Sequence, residues 1–160
     1  MTTSTHRRVT ANLALTLDGR YNGPGGPGDL GAIVPYAVTD VGRDRGYAKW
    51  LVDVEKVVLT STLSEVPWDR TRLVNAPVVD VVAELTATGT GDILVNSSPS
   101  VIKALLAADL VDRLFLLICP EIAGSGQRLF DDGLPGSRWT LAHHTTGELG
   151  ESSMVYDRVR

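Results

Sequence analysis

Residues Gly91 to Phe130, GDILVNSSPSVIKALLAADLVDRLFLLICPEIAGSGQRLF, alternate apolar runs with turn and cap signals so closely that few folds accommodate them. Asp92 to Asn96 is too short for an ordinary helix and ends in Asn96, Ser97 and Ser98, which predicts a strand followed by a turn. Ser98 then precedes Pro99, an N-cap followed by proline at the first helical position, where the missing N–H is not needed. Val101, Ile102, Leu105, Leu106 and Leu110 recur at three- and four-residue spacing and give this helix one buried side, with Lys103 and Asp109 opposite. Leu114 to Cys119 is unbroken apolar sequence and predicts a strand covered on both faces. Strand, helix and strand in this order make a βαβ unit with a right-handed crossover. Its first turn sets small residues ahead of a helix start, where free N–H groups attract phosphate. Turns of this kind are common in α/β proteins, so a phosphate site and an ordinary turn both stand.

Ahead of this unit, residues 1 to 7 are polar and read as a frayed lead-in. Val9 to Leu15 predicts the first strand, closed by Thr16, Leu17, Asp18 and Gly19, where Asp-Gly favours a positive-φ turn. Asp18 is then either a turn residue or a carboxylate aimed into a cleft. Gly23 to Asp29, GPGGPGD, excludes helix and central strand, and its prolines remove the donors that a phosphate loop needs. A surface loop and a lid over a site are the two readings. Ile33 to Trp50 is helical but interrupted, with one helix through about Val41 and a second from about Arg45 to Asp53. Glu55 to Thr60 reads as a strand, Val66 to Val74 leads into a short edge strand, and Val78 to Thr86 as an amphipathic helix ended by Gly89 and Gly91. Beyond the unit, Gly124, Ser125 and Gly126 form a loop, and Trp139 to Thr146 with Met154 to Val159 predict an antiparallel hairpin.

The chain has 160 residues, 43% hydrophobic and 21% charged, which fits one domain over residues 1–160 and leaves no room for a second. A net charge of -4, with both signs mixed along the chain, gives no electrostatic footprint for nucleic acid. The single cysteine, Cys119, sits in an apolar strand and reads as a core residue, so no disulfide forms within the chain. His143 and His144 are adjacent and point to opposite faces of a strand, no metal-ligand spacing occurs, and no serine has a GxSxG elbow. No signal peptide or membrane-spanning run is evident, so a soluble cytoplasmic protein with no membrane partner is expected.

The ordered stretches LTLDG, KVVLTSTL with PWDRTRLV behind it, the Gly91 to Phe130 segment and the closing MVYDRVR resemble the dihydrofolate-reductase-like proteins, which include the reductase domain of riboflavin biosynthesis. The resemblance covers most of the chain and is strongest from Glu55 to Phe130. It implies an α/β fold with a mostly parallel sheet flanked by helices and closed by a C-terminal antiparallel hairpin, with NADPH across the carboxyl ends of the strands. Leu59, Thr60, Ser61 and Thr62 would then meet the adenosine ribose and its 2′-phosphate. Asn96, Ser97, Ser98, Pro99 and Ser100 would face the pyrophosphate, with Gly124 and Gly126 as neighbours. Asn12, Ala14, Thr16 and Asp18 would border the nicotinamide and substrate. Asp18 is the catalytic candidate, Asn12 and Asp29 are substrate-binding candidates, and Gly23 to Asp29 gains support as a mobile loop.

Two departures from the family pattern stand out. Ser97 and Ser98 replace a common Gly-Gly pair. Between about Val41 and Tyr47 the chain also lacks a strand that relatives place within the sheet, ending in Gly-Arg, so one central strand is missing. The functional expectation is an NADPH-dependent reductase of a small pyrimidine- or pterin-type heterocycle, with a homodimer as an option. The alternative is a non-catalytic, shortened domain used for ligand binding or self-association.

Overall fold

The computed structural model describes residues 6–37 and 45–160. The expected strands and helices form with shifts of one or two residues at most ends. Strands are β1 (Val9–Thr16), β2 (Lys56–Leu59), β3 (Thr71–Val74), β4 (Ile93–Asn96), β5 (Arg113–Cys119), β6 (Arg138–Thr146) and β7 (Ser152–Val159). Helices are α1 (Arg45–Asp53), α2 (Val78–Ala87) and α3 (Pro99–Ala107), with a helical turn at 34–37. The rest of the helix expected through about Val41 lies outside the described residues.

Alternation along β1 separates two faces. Val9, Ala11, Leu13 and Leu15 are buried, and with Leu114 and Leu116 they meet Val82 of α2 and Ile102 and Leu105 of α3. Thr10, Asn12 and Ala14 occupy the other face. There a smaller cluster joins Ile33, Leu117 and Cys119, with Ala14 and Ala37 packed on it. Burial pushes the Cys119 thiol up to about 11, which makes it inert at neutral pH.

The main sheet has the order β4-β1-β5-β7-β6, with β4, β1 and β5 parallel and β7 and β6 antiparallel. This is a mostly parallel core closed by a C-terminal hairpin. Parallel strands β2 and β3 form a separate two-stranded sheet. The segment where a strand was expected to be missing, about Val41 to Tyr47, lies mostly outside the described residues. Among the described residues β4 pairs only with β1 and β2 only with β3, so each keeps one edge without a strand partner. No described side chain from 46 to 80 is buried. The α1–β3 lobe therefore has no core of its own, and a lone two-stranded sheet is marginal in water.

Three expectations are corrected. Arg7 is anchored rather than frayed: its guanidinium donates to the carbonyls of Leu85 (2.7 Å), Thr88 (2.8 Å) and Gly91 (2.7 Å), capping the end of α2. Strand β5 is not covered on both faces, since Phe115 is 37% exposed on the Asn12 side. Ser98 holds the N-cap position without capping; its hydroxyl lies 3.3 Å from the Asn96 carbonyl instead.

Candidate functional site

Strands β4, β1 and β5 run parallel, so Asn96, Thr16 and Cys119 end at one edge of the sheet. The loops leaving that edge are where an open parallel sheet places its ligands. Two of them, residues 17–29 and 120–128, are joined by a clasp. Asp18 accepts from the Thr16 hydroxyl (2.6 Å) and from the N–H groups of Ala123 and Gly124 (each 3.0 Å). Asn22 donates to Gln127 Oε1 (2.8 Å) and accepts from the Gln127 N–H (2.7 Å), while Tyr21 N–H donates to the Gln127 carbonyl (3.0 Å). Arg20 donates to the Gly126 carbonyl, and its Nε lies 3.7 Å from Asp18. That Nε is the one buried side-chain polar atom without a hydrogen bond among the described residues.

The Thr16 hydroxyl, then the Ala123 and Gly124 N–H groups, hold the Asp18 carboxyl down at about 2, with partial burial opposing them. Asp18 is therefore an anion at neutral pH with its oxygens committed to donors. Asp29 turns inward as well: its carboxylate accepts from Gly25 N–H (3.0 Å) and lies 3.4 Å from Gly31 N, folding the Gly23 to Asp29 loop on itself.

At the end of β4, Ser97 takes the left-handed conformation, φ 52°. The backbone shape a glycine would give is kept by a serine, at a cost of roughly 1 kcal/mol. Ser97→Gly should recover about that amount, read as a rise in the denaturant midpoint at constant m-value. A fall in midpoint would show that the serine side chain is holding the turn. Helix α3 follows with Pro99 in its first turn and no side-chain cap, so the Ser100 and Val101 N–H groups have no partner among the described residues.

On the open face of β1, Asn12 Nδ2 donates to Asn96 Oδ1 (3.1 Å) and Asn96 Nδ2 donates to the Tyr47 hydroxyl (2.9 Å). Thus Asn12, Ala14, Thr16, Asp18, Asn96, Ser97 to Ser100, Gly124 and Gly126 gather along one sheet edge. Leu59 to Thr62 close β2, which belongs to the separate two-stranded sheet. Thr60 Oγ1 accepts from the N–H groups of Thr62 (3.2 Å) and Leu63 (3.1 Å), shaping that turn.

Sequence reasoning missed Arg20, Asn22, Gln127 and Tyr47. Only the nearby Asp-Gly and Gly-Ser-Gly turns hinted at the first three, and nothing local marked Tyr47. A cavity of about 400 Å³ lies away from this edge, between α3 and strands β5 to β7, lined by Leu106, Leu114, Leu116, Phe130, Trp139 and Tyr156 among others.

Comparisons with solved structures give the same fold. A protein named for riboflavin biosynthesis from Shewanella sp. PV-4 is 20% identical with a TM-score of 0.67, over 96% of this chain and 99% of that one. A diaminohydroxyphosphoribosylaminopyrimidine deaminase/5-amino-6-(5-phosphoribosylamino)uracil reductase from Thermotoga maritima is 15% identical, TM-score 0.68, over 96% of this chain and 57% of that one. Dihydrofolate reductase from Enterococcus faecalis, complexed with NADP(H), is 16% identical, TM-score 0.64, over 96% and 97%. No curated protein matches the sequence. Among the described residues no helix is long and apolar enough to cross a membrane. The family model of the RibD C-terminal domain matches residues 32–150, well over half of the chain, and the protein belongs to that dihydrofolate-reductase-like family.

Proposed function

We propose that this protein is an NADPH-dependent reductase of a small pyrimidine- or pterin-type heterocycle, acting by hydride transfer. The observation that carries the reading is the end of β4: a left-handed Ser97 followed by the uncapped start of α3, beside the polar open face of β1. Bare N–H groups at a helix start suit a pyrophosphate, and the Ser97 and Ser100 hydroxyls add donors. Ser97, Ser98, Pro99 and Ser100 would hold the pyrophosphate, Leu59 to Thr62 the adenosine end, and Ala14, Thr16, Gly124 and Gly126 the nicotinamide end. When bound, the nicotinamide supplies the hydride.

The protein's own contribution is to fix the acceptor carbon against that ring and exclude water. Asn12 presents a polar group to the substrate from the open face. Asp18 works as a positioning residue, because a carboxyl held near 2 carries no proton at neutral pH. The proton comes from ordered water. Asp29 shapes the lid above the substrate.

Titration with NADPH should quench intrinsic fluorescence and raise the melting temperature, and NADPH should be oxidised when a diaminouracil or a pterin is added. Silence in both binding readouts at millimolar NADPH would overturn the reading and leave a non-catalytic scaffold. Binding should weaken about tenfold in Ser100→Pro, which removes one N–H from the helix start.

A further inference from the structure

Strand β6 ends the main sheet on the side opposite β4, and among the described residues it pairs only with β7. All of its residues except Trp139 are exposed. A free edge of this kind is a template for another strand, and proteins ordinarily blunt it with lysine, other charges or proline. From Trp139 to Thr146, WTLAHHTT, β6 carries no lysine, arginine, carboxylate or proline. Leu141, at its middle, is 51% exposed.

The one irregularity of the strand is the bulge between Leu141 and His143, which leaves Ala142 without a partner in β7. It puts Trp139, Leu141, His144 and Thr146 on one face of the sheet, with their partners Arg158, Tyr156, Met154 and Ser152. Thr140, His143 and Thr145 take the other face, with Asp157, Val155 and Ser153. When a second β6 is laid antiparallel about the strand's centre, Trp139 meets Thr146, Thr140 meets Thr145 and Leu141 meets His144. Each residue then faces one from its own side of the sheet, and the outward N–H and C=O groups, which alternate with the same period, match too. Without the extra residue, positions 139 and 146 would lie on opposite faces and this end-for-end match would be lost. The charges agree with it: Arg138 of one copy falls beside Gly147 and Glu148 of the other, and no like charges are set opposite each other.

We infer that β6 is the surface through which two copies of this chain associate, pairing antiparallel about a two-fold axis and joining their two five-stranded sheets into one. The inference does not depend on the reductase reading, since β6 is the edge strand farthest from β4.

The test is sedimentation velocity over a concentration series, with far-ultraviolet circular dichroism as the check on folding. The wild-type protein should sediment as a dimer that dissociates on dilution. Leu141→Lys places a charge on the exposed edge and should sediment as a monomer with an unchanged spectrum. Arg138→Glu and Glu148→Arg should each weaken the dimer by about tenfold, through like charges at both ends of the strand pair. An equimolar mixture of these two variants should recover wild-type association, because opposite charges again face each other at both ends. A change confined to either position by itself would not produce that recovery. If Leu141→Lys loses its spectrum, the mixture decides. A wild-type protein that is monomeric at every concentration, leaving the edge to a strand of some other protein, overturns the inference. So does a dimer that a folded Leu141→Lys leaves intact, or a mixture that shows no recovery.

Discussion

Gly126→Ala is expected to lower kcat/KM of the proposed reductase by on the order of a hundredfold, the penalty of displacing a loop at the proposed site by about an ångström. A Cβ at residue 126 would sit 2.2 Å from the Asn22 carbonyl oxygen and 2.9 Å from the Asn22 side-chain Oδ1. The first of these is backbone, in the loop that leaves β1, so it cannot swing aside as a side-chain tip would. The φ of +113° adds strain for any residue with a Cβ, on the order of 1–3 kcal/mol. Relief requires loops 17–29 and 120–128 to part, which breaks both Asn22–Gln127 hydrogen bonds and the Arg20 contact to the residue 126 carbonyl. Melting temperature should fall by roughly 5–10 °C, from 2–3 kcal/mol in a chain of this size. Gly124→Ala is the control: nothing lies within 4 Å of its added Cβ and its N–H to Asp18 is kept, so only the left-handed backbone cost, about 1 kcal/mol, applies. Equal effects of the two substitutions would show that the close approach at Asn22 is not what holds the loops together.

The parts of this fold that could be read from the sequence are those written in short-range patterns. Val9 to Leu15 alternates, α3 repeats at three and four residues, and Asp18-Gly19 marks its turn; each is specified by neighbours within one element. Gly19 does adopt positive φ. The division of the sheet into two was not legible, because strand pairing is set by remote partners, and its physical consequence, no buried side chain among described residues 46–80, needed the packing to be seen. The clasp was not legible because its partners are remote. Asn22 and Gln127 are 105 residues apart, and neither belongs to an element with a periodic signal. Tyr47 and Asn96 are 49 apart and meet only because α1 lies against the end of β4. Ser98 takes the N-cap position ahead of Pro99 as expected, but its hydroxyl found the Asn96 carbonyl, leaving the helix start without a side-chain cap. Local rules favour satisfying that helix end, and a helix end left bare is where sequence-level consistency is expected to give way to a binding role.

Asp18→Asn separates a positioning carboxylate from a proton donor. Asparagine can present one oxygen to the Ala123 and Gly124 N–H groups, but its amide nitrogen must then replace an acceptor beside another donor, and the clasp loses its anion next to Arg20. Turnover should fall by on the order of tenfold to a hundredfold through loop displacement. The diagnostic is stability against pH. The Asp18 carboxyl titrates at about 2 in the folded protein, below its ordinary 3.8, chiefly because the Thr16 hydroxyl donates to the ionised form. A depressed folded-state pKa stabilises the protein at pH values above the unfolded value, and the contribution is lost as pH falls through the folded one. The stability difference between wild type and Asp18→Asn should therefore be level above about pH 5 and close steadily between 3.8 and about 2. Asp109 and Asp157, held low by Arg158 and Arg113, titrate in both proteins and cancel in the difference. Were Asp18 the proton donor, its carboxyl would have to titrate near the working pH, and the difference would change across the neutral range instead. A gap that varies between pH values of about 6 and 8 would sink the positioning role and return Asp18 to proton transfer.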